Sequence, residues 1–365
     1  MDEYPTKLLM FTLLTTYFFH IQANLDQTKS LNPQNFTIID PYLALHLIQN
    51  PDGSITRIKD FYPTVPPNTS RSLAFSKDVS LNPDKKTWIR VYLPNKPEPI
   101  KNLPIIVYSH GGGFVILSTT TPNFDSFLSN MASQLSVLVV SVEYRLAPEH
   151  RLPSAYDDVL EALFWIKDKK DEWVIKYGDV SKCILMGESV GGNIAYTVGL
   201  KASHLINNLQ PLIIRGLVLI QPVFGGVYRT RSELRLGGNT GDLPLVIPDF
   251  LWNLSLPIGA NRNHPYCNPI IHGGSGSELR KIRELGWPVL IAGCDGDLFI
   301  DKQVEVYKFL KKNGVNVASY FSEGDYHGVF VTKPSKARKL FNFVRVNFIK
   351  ILYHTILSYS VNSVK

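Results

Sequence analysis

Residues 183–193 read Cys183-Ile184-Leu185-Met186-Gly187-Glu188-Ser189-Val190-Gly191-Gly192-Asn193. The unbroken apolar run Cys183 to Met186 predicts a strand buried on both faces, and the segment Gly192 to Leu200 predicts a helix. Between them lies Gly-x-Ser-x-Gly. As a bare pentapeptide this pattern arises by accident about one time in ten in a chain of this length, given ordinary glycine and serine frequencies. On a strand-to-helix turn it acquires a mechanical meaning. The serine is held in a strained backbone conformation with its hydroxyl raised over the carboxyl end of the sheet, and the flanking glycines let the chain turn and pack closely. The start of the helix aims its N–H groups at the same point, which favours negative charge there.

Working outward, further short apolar runs occur at Ile105 to Tyr108, Val137 to Val142, Leu217 to Ile220 and Val289 to Ile291. Helical spacing lies between them, for example from Tyr156 to Ile175, with Val159, Leu160, Leu163, Phe164, Ile166 and Trp173 on one stripe. Unbroken strands alternating with helices imply a parallel sheet covered on both faces, an α/β fold. Upstream, the turn Asn50-Pro51-Asp52-Gly53 and the proline-rich Tyr62 to Pro67 precede a strand from Trp88 to Leu93. One long interval, between the strands near Ile220 and Val289, breaks the alternation. A structureless loop of that size is improbable in a compact domain, so it is read as a helical insertion, about residues 224–285, folded over one edge of the sheet.

A second motif, His110-Gly111-Gly112-Gly113-Phe114, directly follows the strand ending at Tyr108. Three glycines in succession let backbone N–H groups converge on a small anionic oxygen. No P-loop lysine and no GxGxxG pattern accompanies them, so the loop His110, Gly111, Gly112, Gly113 is assigned, with Val190, to an oxyanion hole in which the amides of Gly112, Gly113 and Val190 donate.

A serine hydroxyl near neutral pH needs a base, and the base a carboxylate, in the chain order Ser, Asp or Glu, His. His264 and His272 fall in the insertion and His354 in the terminal tail. His327 lies in Glu323-Gly324-Asp325-Tyr326-His327-Gly328, after the predicted strand Val315 to Phe321, and is the candidate base. Asp295, Asp297 and Asp301 all follow the strand Pro288 to Ala292. Asp301 opens the next helix, where an aspartate serves as a cap, and position alone does not separate Asp295 from Asp297.

The 365 residues carry a formal net charge of +7. Lys333, Lys336, Arg338, Lys339, Arg345, Lys350 and Lys365 account for all of it, since no acidic residue follows Lys333. The body is close to neutral, which argues against a nucleic-acid partner. The final helix, predicted near Ser335 to Leu352, sets this charge opposite an apolar face of Leu340, Phe341, Phe343, Val344 and Phe348, so packing on the sheet is favoured over membrane association. Three separated cysteines, Cys183, Cys267 and Cys294, lack the paired spacing of a zinc site and read as buried thiols. HExxH, GxxxxGK[ST] and EF-hand patterns are absent, so no metal or cofactor is assigned. Residues 1–35 are read as an extension with a 12-residue apolar stretch, Leu8 to Phe19, too short to span a bilayer. Its flank, with Asp2, Glu3 and Lys7, is not the positive region of a signal peptide, so a cytoplasmic location is favoured, with secretion as the alternative. Sequons at Asn35, Asn68 and Asn253 do not alter this reading.

These residues together resemble the plant carboxylesterases of the hormone-sensitive-lipase-like branch of α/β-hydrolases, close to the hypersensitivity-related esterases. The resemblance runs from Asp40 to about Ile349. It rests on Asp40-Pro41-Tyr42, Asn50-Pro51-Asp52-Gly53, the HGGGF loop, Tyr144-Arg145-Leu146-Ala147-Pro148-Glu149-His150, the elbow through Asn193, and Gly293-Cys294-Asp295-Gly296-Asp297. It implies an α/β-hydrolase fold, a mostly parallel central sheet flanked by helices with a helical cap built from the amino-terminal segment and the insertion. Residues 36–350 would form this domain and 351–365 a tail. The family carries D-x-L-x-D after this strand, with the first aspartate catalytic. Here the segment is Asp297-Leu298-Phe299-Ile300-Asp301, so the resemblance assigns Asp297 as partner of His327 and Ser189 despite Phe299 in place of leucine.

The implied activity is hydrolysis of small esters, of short-chain acids or plant metabolites, without a cofactor. The alternative is an enzyme of plant specialised metabolism on the same scaffold, such as a dehydratase, lyase, or decarboxylating or cyclising enzyme. A gibberellin-receptor-like binding protein is a weaker alternative, because such receptors resemble esterases that have lost the histidine which this sequence keeps. Oligomeric state is not legible in the sequence.

Overall fold

The computed structural model describes residues 39–361 apart from 59–60, 70–72, 97–100, 239–242, 272–273 and 275, with side chains placed as far as residue 347. The extension 1–35, Phe348 and the side chains of the tail lie outside the described residues. A short helix α1 (Pro41–Ala44) leads into the hairpin β1 (Leu47–Gln49) and β2 (Ile55–Arg57), followed by β3 (Ala74–Asn82), β4 (Thr87–Pro94) and β5 (Leu103–Ser109). Strands and helices then alternate through α2 (Pro122–Leu135), β6 (Leu138–Glu143), α3 (Ser154–Lys167), α4 (Glu172–Tyr177), β7 (Gly178–Glu188), α5 (Val190–Ser203), α6 (Ile206–Leu209) and β8 (Ile214–Ile220). Helices α7 (Arg231–Leu236), α8 (Val246–Ser255) and α9 (Gly276–Glu284) fill the long interval before β9 (Val289–Gly296). The chain ends in α10 (Ile300–Lys312), β10 (Val317–Tyr326), α11 (Val329–Thr332) and α12 (Pro334–Val361).

The large sheet has the order β3-β4-β6-β5-β7-β8-β9-β10. Pairing is antiparallel for β3 with β4 and for β4 with β6, and parallel across the rest. Alternate residues of a strand face opposite sides, and both sides of the centre are covered. Ile105 and Val107 pack with Leu163 and Ile166 of α3 and Ile194 and Val198 of α5. Ile106 and Tyr108 pack with Phe127 and Met131 of α2 and Leu340 and Phe341 of α12. The register sets Ser109 of β5 beside Gly187 of β7, which brings the glycine-rich loop and the serine turn together at one end of the sheet.

The single helix expected from Tyr156 to Ile175 is two helices. After Lys167 the chain turns, with Lys169 in the left-handed region at φ 50. The Asp171 carboxylate accepts hydrogen bonds from the N–H of Trp173 at 2.8 Å and of Val174, and so starts α4 as its amino-terminal cap. Asp168-Lys169-Lys170-Asp171 has no apolar residue to carry the stripe across this point, and a capping aspartate offers the backbone an alternative to helix.

Helix α9 buries Leu279 and Ile282 in the same core as α5, on one side of the sheet. Helix α8 instead sends Ile247 and Leu254 into a smaller cluster with Leu45, Leu47, Val115 and Ile116, so the amino-terminal hairpin, the loop after β5 and α8 pack on one another. Cys183, Cys267 and Cys294 are free and buried.

Candidate active site

Ser189 sits between β7 and α5 with φ 59 and ψ −125, a conformation that a residue with a side chain rarely adopts. Neighbouring glycines make this turn possible for a steric reason. A Cβ on Gly187 would collide with the carbonyl of Gly191, and a Cβ on Gly191 with the carbonyl of Ser109. Because Val190 is the first helical residue, its N–H has no partner within the helix.

His327 follows the last residue of β10 and reaches both neighbours of interest. Its Nε2 is 2.9 Å from Ser189 Oγ, and its Nδ1 is 2.9 Å from Asp297 Oδ2. Since a carboxylate only accepts, Nδ1–H donates to Asp297 and Nε2 is left to accept from the serine hydroxyl. Asp297 is fully buried. Its Oδ1 accepts from the Phe299 N–H at 2.9 Å, and its Oδ2 also accepts from the Gln303 side-chain amide at 2.8 Å. The alternative left open by position, Asp295, goes elsewhere and accepts from the Gly324 N–H at 2.8 Å. Asp301, read from the sequence as a helix cap, does not cap α10 and instead accepts from the Ser232 N–H of α7 at 2.7 Å.

Burial by itself pushes the His327 imidazole down, but the charge of Asp297, its hydrogen bond and the charge of Glu188 outweigh that and hold it above the ordinary histidine value. Glu188, only 3% exposed, is pushed up to about 7 by burial, with His327 opposing and Asp297 reinforcing the shift.

The glycine loop divides in two. Gly112 and Gly113 form part of the cavity wall, with φ of 111 and 66, and their N–H groups, like that of Val190, make no hydrogen bond to protein among the described residues. His110 and Gly111, assigned to the same hole from the sequence, lie beneath the wall. His110 is fully buried, its Nδ1 donates to the Gly111 carbonyl at 2.7 Å, and its ring stacks on Tyr144 at 4.3 Å. The Tyr144 hydroxyl donates to the His110 carbonyl at 2.8 Å. Burial drives the His110 imidazole down to about 4, so it supports the loop as a neutral ring. Arg57 of β2 ties the loop from the other side, donating to the carbonyls of Val115 at 2.7 Å and Ala147 at 2.6 Å.

Above Ser189 opens a cavity of about 510 Å³, within the range of small-molecule sites. Tyr62, Phe124, Leu251, Trp252, Phe299 and Val331 give it an apolar, largely aromatic wall, and no lysine or arginine among the described residues lines it. The rings and apolar side chains come from the amino-terminal segment, α2, α8, the loop after β9 and α11. Sequence reasoning missed these lining residues because no local pattern distinguishes them from core. It also missed Gln221 and Gln303, which hold Asp297. Among the described residues no helix is long and apolar enough to cross a membrane, and no group of three His, Cys, Asp or Glu side chains is placed to hold a metal ion.

A family model described as the alpha/beta hydrolase fold matches residues 106–331. The chain is 46% identical over 320 residues to Carboxylesterase 20 of Arabidopsis thaliana, covering 86% of this chain and 97% of that one. It is 41% identical over 332 residues to a 3-O-acetylpapaveroxine carboxylesterase of Papaver somniferum, covering 87% and 98%. Among solved structures, an esterase of Pyrobaculum calidifontis superposes with a TM-score of 0.63 at 25% identity, over 76% of this chain and 85% of its own. A fungal esterase of Rhizomucor miehei shares the fold with a TM-score of 0.68 at 20% identity, over 92% and 96%.

Proposed function

The chain belongs to the α/β-hydrolase family, among the plant carboxylesterases, and is a carboxylic-ester hydrolase; from that premise we propose that Ser189, His327 and Asp297 are its catalytic triad and that its substrates are uncharged esters with an apolar, ring-bearing portion. The observation that carries this reading is the continuous chain of two 2.9 Å contacts from Ser189 through His327 to Asp297, set at the floor of an apolar cavity.

The ester carbonyl enters with its carbon against Ser189 Oγ. As the C–O bond forms, the hydroxyl proton passes to His327 Nε2, and the imidazolium is stabilised by Asp297, which stays on Nδ1–H throughout. Charge gathers on the former carbonyl oxygen. The N–H groups of Gly112, Gly113 and Val190 are the donors for it, and each such donor contributes about 3 kcal/mol to the transition state. Collapse of the tetrahedral intermediate transfers the proton from Nε2 to the departing alcohol. Water then repeats the sequence on the acyl-enzyme, releasing the acid and restoring the serine.

Substrate character follows from the wall. With aromatic rings and, among the described residues, no lysine or arginine around Ser189, nothing compensates the desolvation of an anionic substrate, whereas apolar rings gain from burial. A plant-metabolite ester fits this wall better than a bare short-chain one. The relative whose name specifies 3-O-acetylpapaveroxine supports the same direction. A binding-only role loses support from the direct contact of His327 with Ser189, which a receptor does not need. Ser189→Ala is the decisive variant: it removes the nucleophile but no packing, so kcat on p-nitrophenyl butyrate falls roughly 10⁴-fold or more with the circular dichroism spectrum unchanged. Undiminished turnover by Ser189→Ala overturns the assignment.

A further inference from the structure

At the end of β8, next to the site but outside the cavity wall, Gln221 is fully buried and holds a positive φ of 43. Left-handed backbone at a glutamine is uncommon and persists where the surroundings fix it. Here they do so from both ends. The Gln221 N–H donates to the Ala292 carbonyl of β9 at 2.7 Å. Its side-chain Oε1 accepts from the Gly328 N–H at 2.9 Å, and because that N–H only donates, the amide orientation is determined. The Nε2 group then faces the Tyr326 carbonyl at 3.0 Å, Asp297 Oδ2 at 3.2 Å and Cys294 Sγ at 3.2 Å.

This arrangement has a particular geometry. Gly328 N and Tyr326 O are the backbone groups immediately after and before His327, so one side chain grips the histidine turn on both sides. The same amide donates to the carboxylate oxygen that His327 Nδ1 uses. Resting on the triad reading above, we propose that Gln221 is a positioning residue for catalysis: it fixes the distance and angle between His327 and Asp297, two groups carried on different strands. Gln303 also donates to Asp297 Oδ2, but it touches only the acid, so it cannot set the histidine turn. The titratable groups around Gln221 are Asp297 and Cys294 from the β9 end, His327 after β10 and Glu188 at the end of β7. Burial raises the Cys294 thiol to about 12, so it stays a neutral neighbour.

The test compares the wild-type enzyme with Gln221→Met, which keeps the bulk and loses every hydrogen bond of the side chain. Gln221→Glu is the second variant, to be used if the first does not fold. It preserves shape and the acceptor for Gly328 but turns an acceptor toward Asp297. Steady-state kinetics on p-nitrophenyl butyrate are read together with the downfield proton NMR signal of the His327 Nδ1–H. The expected result is a kcat lower by roughly 10- to 100-fold at a KM within about twofold, the size of effect that a misplaced catalytic group produces. The downfield signal shifts or broadens. A kcat equal to wild type overturns the proposal, and so does a lowered kcat with the His327 signal unchanged, which is the mark of a merely structural role. An inactive Ser189→Ala with a fully active Gln221→Met overturns this inference alone, whereas an active Ser189→Ala overturns the triad reading beneath it.

Discussion

His327 is where charge and activity meet. In the proposed triad this imidazole must be neutral to accept the Ser189 proton, and the Asp297 and Glu188 carboxylates hold it above its ordinary value in spite of burial. The sign follows: kcat/KM is low where the imidazole is protonated and rises with pH through an apparent pKa above 6.5, the ordinary histidine value. Glu188 lies beside the same site and is itself pushed up to about 7, so the rising limb belongs to the coupled pair. Replacing Glu188 by glutamine removes an anion that favours the imidazolium. The rising limb of Glu188→Gln therefore moves to lower pH, measured as a profile of kcat/KM between about pH 5 and 9; a limb that stays in place refutes the coupling. At this scale the sequence made Ser189 and His327 legible, because one occupies a turn that demands glycines and the other a turn-rich stretch after the last strand. Position alone left Asp295 and Asp297 unresolved, since both follow the same strand and the choice depends on which carboxylate lies within reach of Nδ1; only the family resemblance pointed to Asp297. Gln221 carried no signal at all, as its distinguishing marks are a backbone angle and partners on two other strands.

At the scale of elements, the glycine loop is held from beneath by His110 and Tyr144 and from the side by Arg57, while α8 closes on it from above. Gly113 is the point of closest approach. Its φ of 66 suits glycine, and an added Cβ would stand 2.5 Å from Leu251 Cδ1 of α8. Gly113→Ala therefore forces the Leu251 side chain, the loop or the helix to shift at a backbone angle unfavourable to alanine, and the amide proposed to serve the oxyanion is displaced. The expected kcat loss is roughly 100-fold, comparable to removal of one oxyanion donor. Gly113→Ala combined with Leu251→Ala frees the space and recovers part of the loss but not all, because the backbone angle is still unfavourable to alanine. Full recovery in the double variant means that contact with α8, and not the angle, was the whole constraint. The periodic pattern located α3 and α5 within a few residues, yet ran α3 and α4 together. Helical spacing reports which side of a helix is apolar, and Ile166 and Trp173, seven residues apart, stay in phase across the polar stretch that Asp171 caps, so the break is masked.

Across the whole molecule, local pattern announced a parallel sheet but not its order, because the placement of β7 beside β5 is set by crossover connections and not by either strand's composition. The same limit applies to the cavity, whose wall is assembled from segments far apart in the chain. Charge behaves differently, since its position along the sequence was legible directly. Lys336, Arg338, Lys339, Arg345 and Lys350 fall on α12, where Lys339 and Arg345 are exposed, while Leu340, Phe341 and Val344 are buried against α2 and the sheet. Phe341 meets Phe127 of α2 with ring centroids 5.1 Å apart. The helix thus closes one face of the sheet; Arg338, Lys339 and Arg345 face water, whereas Lys336 pairs with the buried Asp325 at 2.7 Å. Two substitutions one position apart separate these roles. Leu340→Ala opens a cavity in a fully buried position and lowers unfolding free energy by about 2–5 kcal/mol in urea titration. Lys339→Glu changes the charge by two units on the opposite side and shifts stability by about 0.5 kcal/mol or less. Both variants keep the wild-type KM, because α12 lies across the sheet from α5 and none of its described side chains lines the cavity. Equal destabilisation by the two substitutions contradicts this division, and would mean that the cationic side of α12 is itself engaged in packing.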